Sequence, residues 1–275
     1  MTRVGCGSDG AVDPDAMIAA LRDETALVAM ILAHNESGVI QPVEEVAAEA
    51  RARGIAVHVD AVQALGKMPL RMSDLNADTV SLSAHKLHGP QGIGALWVRT
   101  GRTLDPLVRG GAQERRRRAG TEPVALAAGF AAAVGAIDFE EVERIRSLRD
   151  RLERGLLDAV RAARVNGRDA RRLPNTTNIV CPGGDGEAIQ IALDLRGIAI
   201  STGSACSSGR VEPSRVLLAM GLSEEDARSS IRISLGRKNT EEEIDRALAA
   251  LIEVIGIQTA RTATAEGERG RGPSE

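Results

Sequence analysis

The sequence predicts an α/β protein, with a large domain built on a mostly parallel sheet and a smaller C-terminal α+β domain. Short apolar runs at 27–32, 55–59 and 79–82 are typical of strands buried on both faces. A helical segment at 42–53 separates the first two runs, and this alternation favours a parallel sheet covered by helices. The pattern changes near residue 138, so we expect the large domain at 1–138 and the small one at 139–257.

Helix signals mark the other elements of the large domain. Asp13 and Pro14 supply an N-cap and a first-turn proline for a helix that runs toward Leu21. Gly54 ends the helix at 42–53, and a further strand is predicted at 92–98. Residues 122–163, rich in Ala, Leu and charged side chains at helical spacing, predict a pair of long helices.

The small domain mixes strands and helices. Its strands are expected at 178–181, 198–200 and 231–234, and its helices at 187–196, 215–220 and 241–255. The tail at 258–275 is rich in Gly, Arg, Glu, Thr and Ser and buries too little apolar surface to offset its ordering entropy. We therefore predict a disordered tail.

Composition restricts the classes of partner. A net charge of −3 argues against binding to nucleic acid or to an anionic membrane, because such proteins usually carry a basic excess. No export signal and no apolar segment of membrane-spanning length is visible. The three cysteines, Cys6, Cys181 and Cys206, lie far apart without the spacing of a metal site. We expect reduced thiols, no metal and a cytoplasmic protein.

Three polar stretches, at 34–36, 60–63 and 83–86, follow predicted parallel strands. A lone aspartate after a strand is usually a helix cap, and a lone lysine is usually solvated. Open α/β sheets, however, bind ligands at the carboxyl ends of their strands. The convergence of all three stretches therefore predicts one pocket.

The side chains of two of these stretches suit pyridoxal phosphate. This cofactor needs an amine for a Schiff base, a carboxylate beside its pyridine nitrogen, and hydroxyl or imidazole donors for its phosphate. Lys86 provides the amine, Asp60 the carboxylate, and Ser83 with His85 the donors. The carboxylate would keep the ring protonated as an electron sink for a carbanion at the substrate Cα.

Four ordered blocks together resemble the group I (NifS/IscS-type) cysteine desulfurases: HVDAVQALGK, SLSAHKLHGPQGIGALWVR, STGSACSSGRVEPS and SSIRISLGR. The resemblance covers nearly all of residues 10–257. It implies a fold-type I, pyridoxal-phosphate-dependent transferase whose large domain is incomplete at its N-terminus. The implied reaction converts L-cysteine to L-alanine and transfers the sulfur for iron–sulfur cluster assembly or thio-modification.

The resemblance implies a role for each cofactor-binding residue. Lys86 matches the Schiff-base lysine, and Asp60 matches the residue that pairs with the pyridine nitrogen. Gln63 matches the side chain that hydrogen-bonds the ring oxygen, while Ser83 and His85 match the phosphate ligands. These residues are the expected cofactor site.

It also implies the substrate site. Asn35 matches a residue that contacts the cofactor ring and the substrate, and Arg232 matches the arginine that binds the substrate carboxylate, for which a planar guanidinium is well suited. Cys206 lies in a run of small residues and glycines that predicts a mobile loop. It matches the thiolate that takes the sulfur as a persulfide and passes it to an acceptor protein, whose identity the sequence leaves open. Cys181, before Pro182, is interpreted as a small core residue, and Cys6 stays unassigned.

The stretch RGGAQERRRRAGTEP at 109–123 resembles a glycine-rich segment of the family. Thr121 matches the threonine that reaches the phosphate of the neighbouring subunit's cofactor, which implies a homodimer. The run Arg115–Arg118 is otherwise read as a solvated or nucleic-acid-contacting face, and Arg116 stands where the family has glycine.

By comparison with the family, we expect roughly one hundred N-terminal residues to be absent. They would include a glycine-threonine phosphate cradle and a histidine that stacks on the cofactor ring. Their loss predicts exposed apolar surface on the large domain. An inactive paralogue, or half of a split enzyme that binds a desulfurase or sulfur acceptor without turnover, stays the alternative function, and an aminotransferase is a third.

Overall fold

The computed structural model describes residues 1–202 and 212–258 in full and residues 259–269 as backbone. The chain forms two compact units. The parallel-sheet unit comprises Pro14–Leu32 and Pro42–Phe139, and the antiparallel unit comprises Met1–Asp13, Ala33–Gln41 and the chain from Glu140 onward. This grouping differs from a single cut near residue 138, because two N-terminal segments join the C-terminal part of the chain.

Four strands in the order β1-β2-β3-β4 form the sheet of the parallel-sheet unit. The first three are parallel, and β4 runs antiparallel to β3. Only residues 84–93 join β3 to β4, fewer than a parallel crossover needs. The expectation of an α/β fold with a mostly parallel sheet is confirmed. The elements are α1 (Pro14–Ala19), β1 (Leu27–Ile31), α2 (Val43–Ala52), β2 (Ala56–Asp60), β3 (Thr79–Ser83), a 3₁₀-helix (Ala84–Leu87), β4 (Gly94–Val98), α3 (Gln113–Arg116) and α4 (Val124–Gly135).

The two faces of this sheet differ in exposure. In β1, Val28 and Met30 are buried, while Leu27 and Ile31 on the alternate face are 57% and 38% exposed. Val46 and Ala50 of α2, which packs on β1 and β2, are fully buried. On β4, Leu96 is 52% exposed and lies in register with the same face as Ile31. The apolar surface expected from the sequence is therefore present on this face.

The antiparallel unit contains a sheet in the order β5-β6-β8-β7, in which every pair is antiparallel. Its core joins apolar side chains of three helices to those of β6 and β8, as with Leu152, Leu193 and Leu251 against Ile179 and Ile231. The elements are α5 (Phe139–Ala159), β5 (Arg164–Val165), β6 (Thr176–Val180), α6 (Gly186–Asp194), β7 (Ser201–Thr202), α7 (Arg215–Ala219), α8 (Glu224–Arg228), β8 (Ser230–Ser234) and α9 (Glu241–Arg269).

Two elements of this unit differ from the sequence expectations. The tail predicted to be disordered at 258–275 instead continues α9 as helix to Arg269, while 270–275 lie outside the described residues. Its Ala, Glu and Arg residues have good helix propensity even though they are too polar to form a core. The strand expected at 198–200 begins later, at Ser201, and Ile198 and Ile200 pack against the core instead.

Within the described part of the chain, no helix is both long and apolar enough to cross a bilayer.

The segment Ala33–Gln41 is held in the antiparallel unit by backbone pairing. Val39 bridges Arg172, the Ile40 amide donates to the Arg171 carbonyl at 2.7 Å, and the Leu173 amide donates to the Gly38 carbonyl at 2.8 Å. These bonds explain why a segment between β1 and α2 belongs to the C-terminal unit. We call it the 33–41 loop.

A buried ion network holds the segment that pairs with this loop. The guanidinium of Arg172 binds both carboxylate oxygens of Glu153, at 2.7 and 3.0 Å, and these side chains are 8% and 10% exposed. Arg149 donates to the Leu173 carbonyl at 3.0 Å and pairs with Asp150 at 2.7 Å. Burial alone would raise the pKa of Glu153, but the hydrogen bond from Arg172 and the charges of Arg172 and Arg149 outweigh it and hold that pKa below its ordinary value.

Candidate functional site

The carboxyl ends of β2 and β3 meet at one edge of the parallel-sheet unit. Asp60 is the last residue of β2 and pairs with Ser81 of the neighbouring parallel strand. Ser83 ends β3 two residues further on, so Asp60 and Ser83 lie on the same face of the sheet. This is the face that also exposes Ile31. The sheet therefore brings the predicted cofactor residues to one edge.

The 3₁₀-helix after β3 determines the exposure of Lys86. In a 3₁₀ turn residues three apart share a side, and Ala84 and Leu87 are both buried, in a cluster with Phe130 of α4. His85 and Lys86, between them, are exposed. The amine of Lys86 is therefore presented at the sheet edge.

Hydrogen bonds orient the side chains after β2. Oδ1 of Asp60 accepts from the Val62 amide at 2.9 Å, which leaves Oδ2 for another partner. Oε1 of Gln63 accepts from Nζ of Lys67 at 2.8 Å. The carbonyl end of Gln63 is thus engaged, and its NH₂ group points to a role as a donor.

A second pair follows β3. Oγ of Ser83 lies 2.8 Å from Nδ1 of His85, and the direction of this bond depends on the imidazole tautomer. When the serine donates, Nε2 of His85 carries the proton and can donate to an anion.

These residues fit pyridoxal phosphate. An exposed amine, a half-buried carboxylate with one oxygen that makes no hydrogen bond within residues 1–202 and 212–258, an amide donor and a hydroxyl–imidazole pair form a donor set. This set matches the aldehyde, pyridine nitrogen, ring oxygen and phosphate of the cofactor. Lys86, Asp60, Gln63, Ser83 and His85 are the residues that would hold it.

The predicted substrate residues meet in the antiparallel unit. Arg232 of β8 donates through Nη1 to the backbone carbonyl of Asn35 at 3.2 Å, across 197 positions of sequence. Among residues 1–202 and 212–258, no carboxylate lies within ion-pair distance of this guanidinium. A backbone carbonyl therefore orients Arg232 without neutralising its charge.

Two side chains near Arg232, those of His34 and Glu36, received no role from the sequence. The Glu36 amide donates to Nδ1 of His34 at 3.2 Å, and Oε2 of Glu36 accepts from the hydroxyl of Ser214 at 2.5 Å. Burial lowers the pKa of His34, and the charge of Arg232 lowers it further. The available sequence signal was the position of Ser214 before an apolar run, which marks a helix N-cap; its acidic partner lies 178 positions away.

Thr121 lies exposed between α3 and α4. Before it, Glu114, Arg115 and Arg116 have φ of 47°, 55° and 65°, the left-handed region that glycine adopts without a Cβ penalty. The structure thus explains why a glycine suits the position of Arg116. Within residues 1–202 and 212–258, the Thr121 side chain makes no hydrogen bond.

The three cysteines lie in different surroundings. Cys206 falls within 203–211, outside the described residues. Cys181 is fully buried, and burial raises the pKa of its thiol to about 12, so it is a core residue. Cys6 is half-buried and packs against a small apolar cluster of Leu217, Met220 and Ala227.

Comparisons with known proteins show what this chain is similar to. Cysteine desulfurase 2 of Trichormus variabilis is 47% identical over 257 residues, 93% of this chain and 65% of that protein. Cysteine desulfurase IscS of Methanosarcina thermophila is 44% identical over 249 residues, 90% of this chain and 61% of that protein. The chain thus spans just under two thirds of these relatives.

Solved structures are similar as well. A NifS-like protein superposes with a TM-score of 0.82 at 36% identity, over 93% of this chain and 68% of its own. SspA in complex with cysteine gives a TM-score of 0.73 at 32% identity, over 87% and 67% of the two chains. The family model for aminotransferase class-V matches residues 2–247. The chain belongs to the aminotransferase class-V family.

Proposed function

We propose that this chain provides the larger part of a pyridoxal-phosphate-dependent cysteine desulfurase. The reaction is L-cysteine plus a protein thiol giving L-alanine plus a protein persulfide. The observation that carries the proposal is the shared edge of β2 and β3, where Asp60, Ser83, His85 and Lys86 lie together. Similarity to cysteine desulfurases over nine tenths of the chain supports the reaction class.

Each residue at this edge has a proposed task. When bound, pyridoxal phosphate supplies an electron sink for the negative charge that develops at the substrate Cα. Lys86 would hold the cofactor covalently, and Asp60 would keep the ring nitrogen protonated through Oδ2, the oxygen that does not accept from the Val62 amide. Gln63 donates to the ring oxygen, while Ser83 and His85 donate to the phosphate.

Arg232 and Asn35 are the proposed substrate-binding residues. A guanidinium that is oriented by a backbone carbonyl, and not paired with an acid, keeps its charge for the carboxylate of L-cysteine. Asn35 contributes its carbonyl to this orientation and its side chain to the contact with ring and substrate.

Cys206 is the proposed sulfur acceptor within the chain. Its thiolate attacks the substrate sulfur, an S–S bond forms as the substrate Cβ–S bond breaks, and the carbon product takes up a proton to become L-alanine. The persulfide sulfur then passes to a sulfur-acceptor protein in iron–sulfur cluster assembly or thio-modification. We further propose a cytoplasmic homodimer in which Thr121 reaches the partner's cofactor phosphate.

Reconstitution tests this function. The chain contains three lysines, so Lys86→Ala has a matched control in Lys238→Ala, a residue outside the proposed site. We expect yellow cofactor absorbance in the parent chain and in Lys238→Ala but not in Lys86→Ala.

Alanine release separates the two cysteines. We expect Cys206→Ala to keep the cofactor and release no alanine from L-cysteine, while Cys181→Ala stays active. Equal alanine from the parent and Cys206→Ala would refute the assigned thiol. Absence of the cofactor signal in the parent would favour a chain that binds a desulfurase or a sulfur acceptor without turnover.

A further inference from the structure

We propose that Glu36 and Ser214 form a positioning pair that holds the carbonyl of Asn35 in place for Arg232. This inference rests on the substrate-binding role of Arg232 in the proposed function. Neither side chain is assigned a contact with substrate. The pair acts through the backbone of the 33–41 loop.

The Ser214 hydroxyl connects the start of α7 to Glu36. Ser214 is 4% exposed, and its oxygen accepts from the Leu217 amide at 3.3 Å as the N-cap of α7. The same hydroxyl donates to Oε2 of Glu36 at 2.5 Å. Its proton has a single acceptor and the helix start fixes its position, so Glu36 is tied to a rigid point.

Glu36 is connected to the guanidinium of Arg232 through the backbone of Asn35. Glu36 directly follows Asn35, whose carbonyl accepts from Nη1 of Arg232 at 3.2 Å. The amide of Glu36 is also bound, by Nδ1 of His34 at 3.2 Å. Peptide planarity couples this amide to the carbonyl of Asn35, because both belong to one peptide unit. Holding Glu36 at both its amide and its carboxylate therefore fixes the carbonyl that orients Arg232.

The charge of Glu36 and its hold on the 33–41 loop have opposite effects on carboxylate binding by Arg232. Burial raises the pKa of Glu36, and the Ser214 hydrogen bond and the charge of Arg232 oppose that rise. A negative charge near Arg232 weakens its attraction for another carboxylate, so removing the charge alone should tighten ligand binding. Releasing the 33–41 loop should weaken the binding of a carboxylate ligand by Arg232.

Two substitutions separate these effects. Glu36→Gln removes the charge but keeps an oxygen that accepts from Ser214, whereas Glu36→Ala removes both. A purely electrostatic role predicts that both variants bind a carboxylate ligand more tightly. The positioning role predicts that Glu36→Gln binds as tightly as the parent or more so, and that Glu36→Ala binds roughly fivefold to tenfold less tightly.

The direct measurement is the order of the Arg232 side chain in the full chain. The ¹⁵Nε NMR signal of Arg232 is assigned by its loss in Arg232→Lys. Its heteronuclear NOE should be high in the parent and in Glu36→Gln and should fall in Glu36→Ala and Ser214→Ala. An NOE in Glu36→Ala equal to that of the parent would overturn the proposal, whether or not the chain turns over cysteine.

The second measurement is the dissociation constant of L-serine for the cofactor-free chain, from NMR titration. Weaker binding by Glu36→Ala but not Glu36→Gln supports positioning, and tighter binding by both overturns it. If the parent binds no L-serine, the carboxylate-binding role of Arg232 fails, while the NOE of its side chain still decides the positioning question.

Ser223→Ala is the matched control for Ser214→Ala. Ser223 caps α8 by accepting from the Asp226 amide at 3.0 Å, as Ser214 caps α7, but in the described part of the chain no hydrogen bond joins it to the 33–41 loop. Both variants should lose stability with the cap, measured as a lower thermal midpoint. Only Ser214→Ala should mobilise Arg232; mobilisation by both would point to a general loss of stability and overturn the proposal.

Discussion

Replacing Glu153 with glutamine should destabilise the antiparallel unit far more than replacing an exposed glutamate in the same geometry. Glu153 accepts both bonds of a bidentate pair with Arg172, and the two side chains are only 8% and 10% exposed. Removing one partner of a buried pair leaves an uncompensated buried charge, at a cost of about 3–5 kcal/mol. For a chain of this size that corresponds to a fall in Tm of roughly 6–20 °C.

The control is Glu253→Gln. Glu253 forms an equally short bidentate pair with Arg196, at 2.7 and 2.9 Å, but these side chains are 60% and 35% exposed. Water screens this pair, so its loss should cost about 0–1 kcal/mol. The comparison thus isolates burial at constant geometry.

Urea denaturation followed by circular dichroism measures both variants. Trp97, the only tryptophan, lies in β4, so its fluorescence reports on the parallel-sheet unit separately. We expect Glu153→Gln to lower the free energy of unfolding by at least about 2 kcal/mol more than Glu253→Gln does. Similar losses in the two variants would refute the argument from burial.

The same substitution should change the acid dependence of stability. Because the pKa of Glu153 is depressed in the folded state, its stabilising contribution is present above the unfolded-state pKa and is lost as pH falls through the folded-state pKa. The stability difference between parent and Glu153→Gln should therefore shrink as pH falls below the ordinary value of 4.5. A difference that stays constant down to acid unfolding would contradict the depressed pKa.

Three further predictions concern single positions. Cys181, whose buried thiol has a pKa of about 12, should resist iodoacetamide in the native chain and react after unfolding, as read by peptide mass spectrometry. Arg116→Gly should raise the free energy of unfolding by up to about 1 kcal/mol because φ there is 65°, whereas Arg117→Gly, at φ −90°, should lower it; equal effects would contradict the strain. Gly186→Ala should cost about 1–3 kcal/mol because a Cβ there would stand 2.6 and 2.9 Å from two backbone oxygens, while Gly135→Ala, with open space around it, should be neutral in thermal melts.

Periodicity predicted the longer elements of this fold. The buried positions Val142, Ile145, Leu148, Leu152 and Leu156 recur at helical spacing along α5, and the apolar run that predicts β1 begins where the strand begins. Short elements carried too little pattern. The two-residue β5 depends on pairing with β6, and β7 is positioned by its register with β8 rather than by its own residues.

Some features of the candidate site follow from local sequence, and others depend on contacts between residues far apart in the chain. The strand-end positions of Asp60, Ser83 and Lys86 follow from local sequence, because a strand and the turn after it are contiguous. The contact of Arg232 with the Asn35 carbonyl joins residues 197 positions apart, and no local pattern encodes it. The motif resemblance implied the proposed role of Arg232, but its orienting partner came only from the structure.

The antiparallel unit is built from three separate segments of the chain, which affects how it forms during synthesis on the ribosome. The chain passes from one unit to the other after Asp13, Leu32, Gln41 and Phe139. A ribosome delivers the whole of the parallel-sheet unit by residue 139, yet β8, with Arg232, emerges some 200 residues after the 33–41 loop. Synthesis proceeds at about 5–20 residues per second, so the loop waits on the order of ten seconds or more for Arg232 to emerge. During that interval the 33–41 loop is a nascent segment exposed to chaperones and proteases.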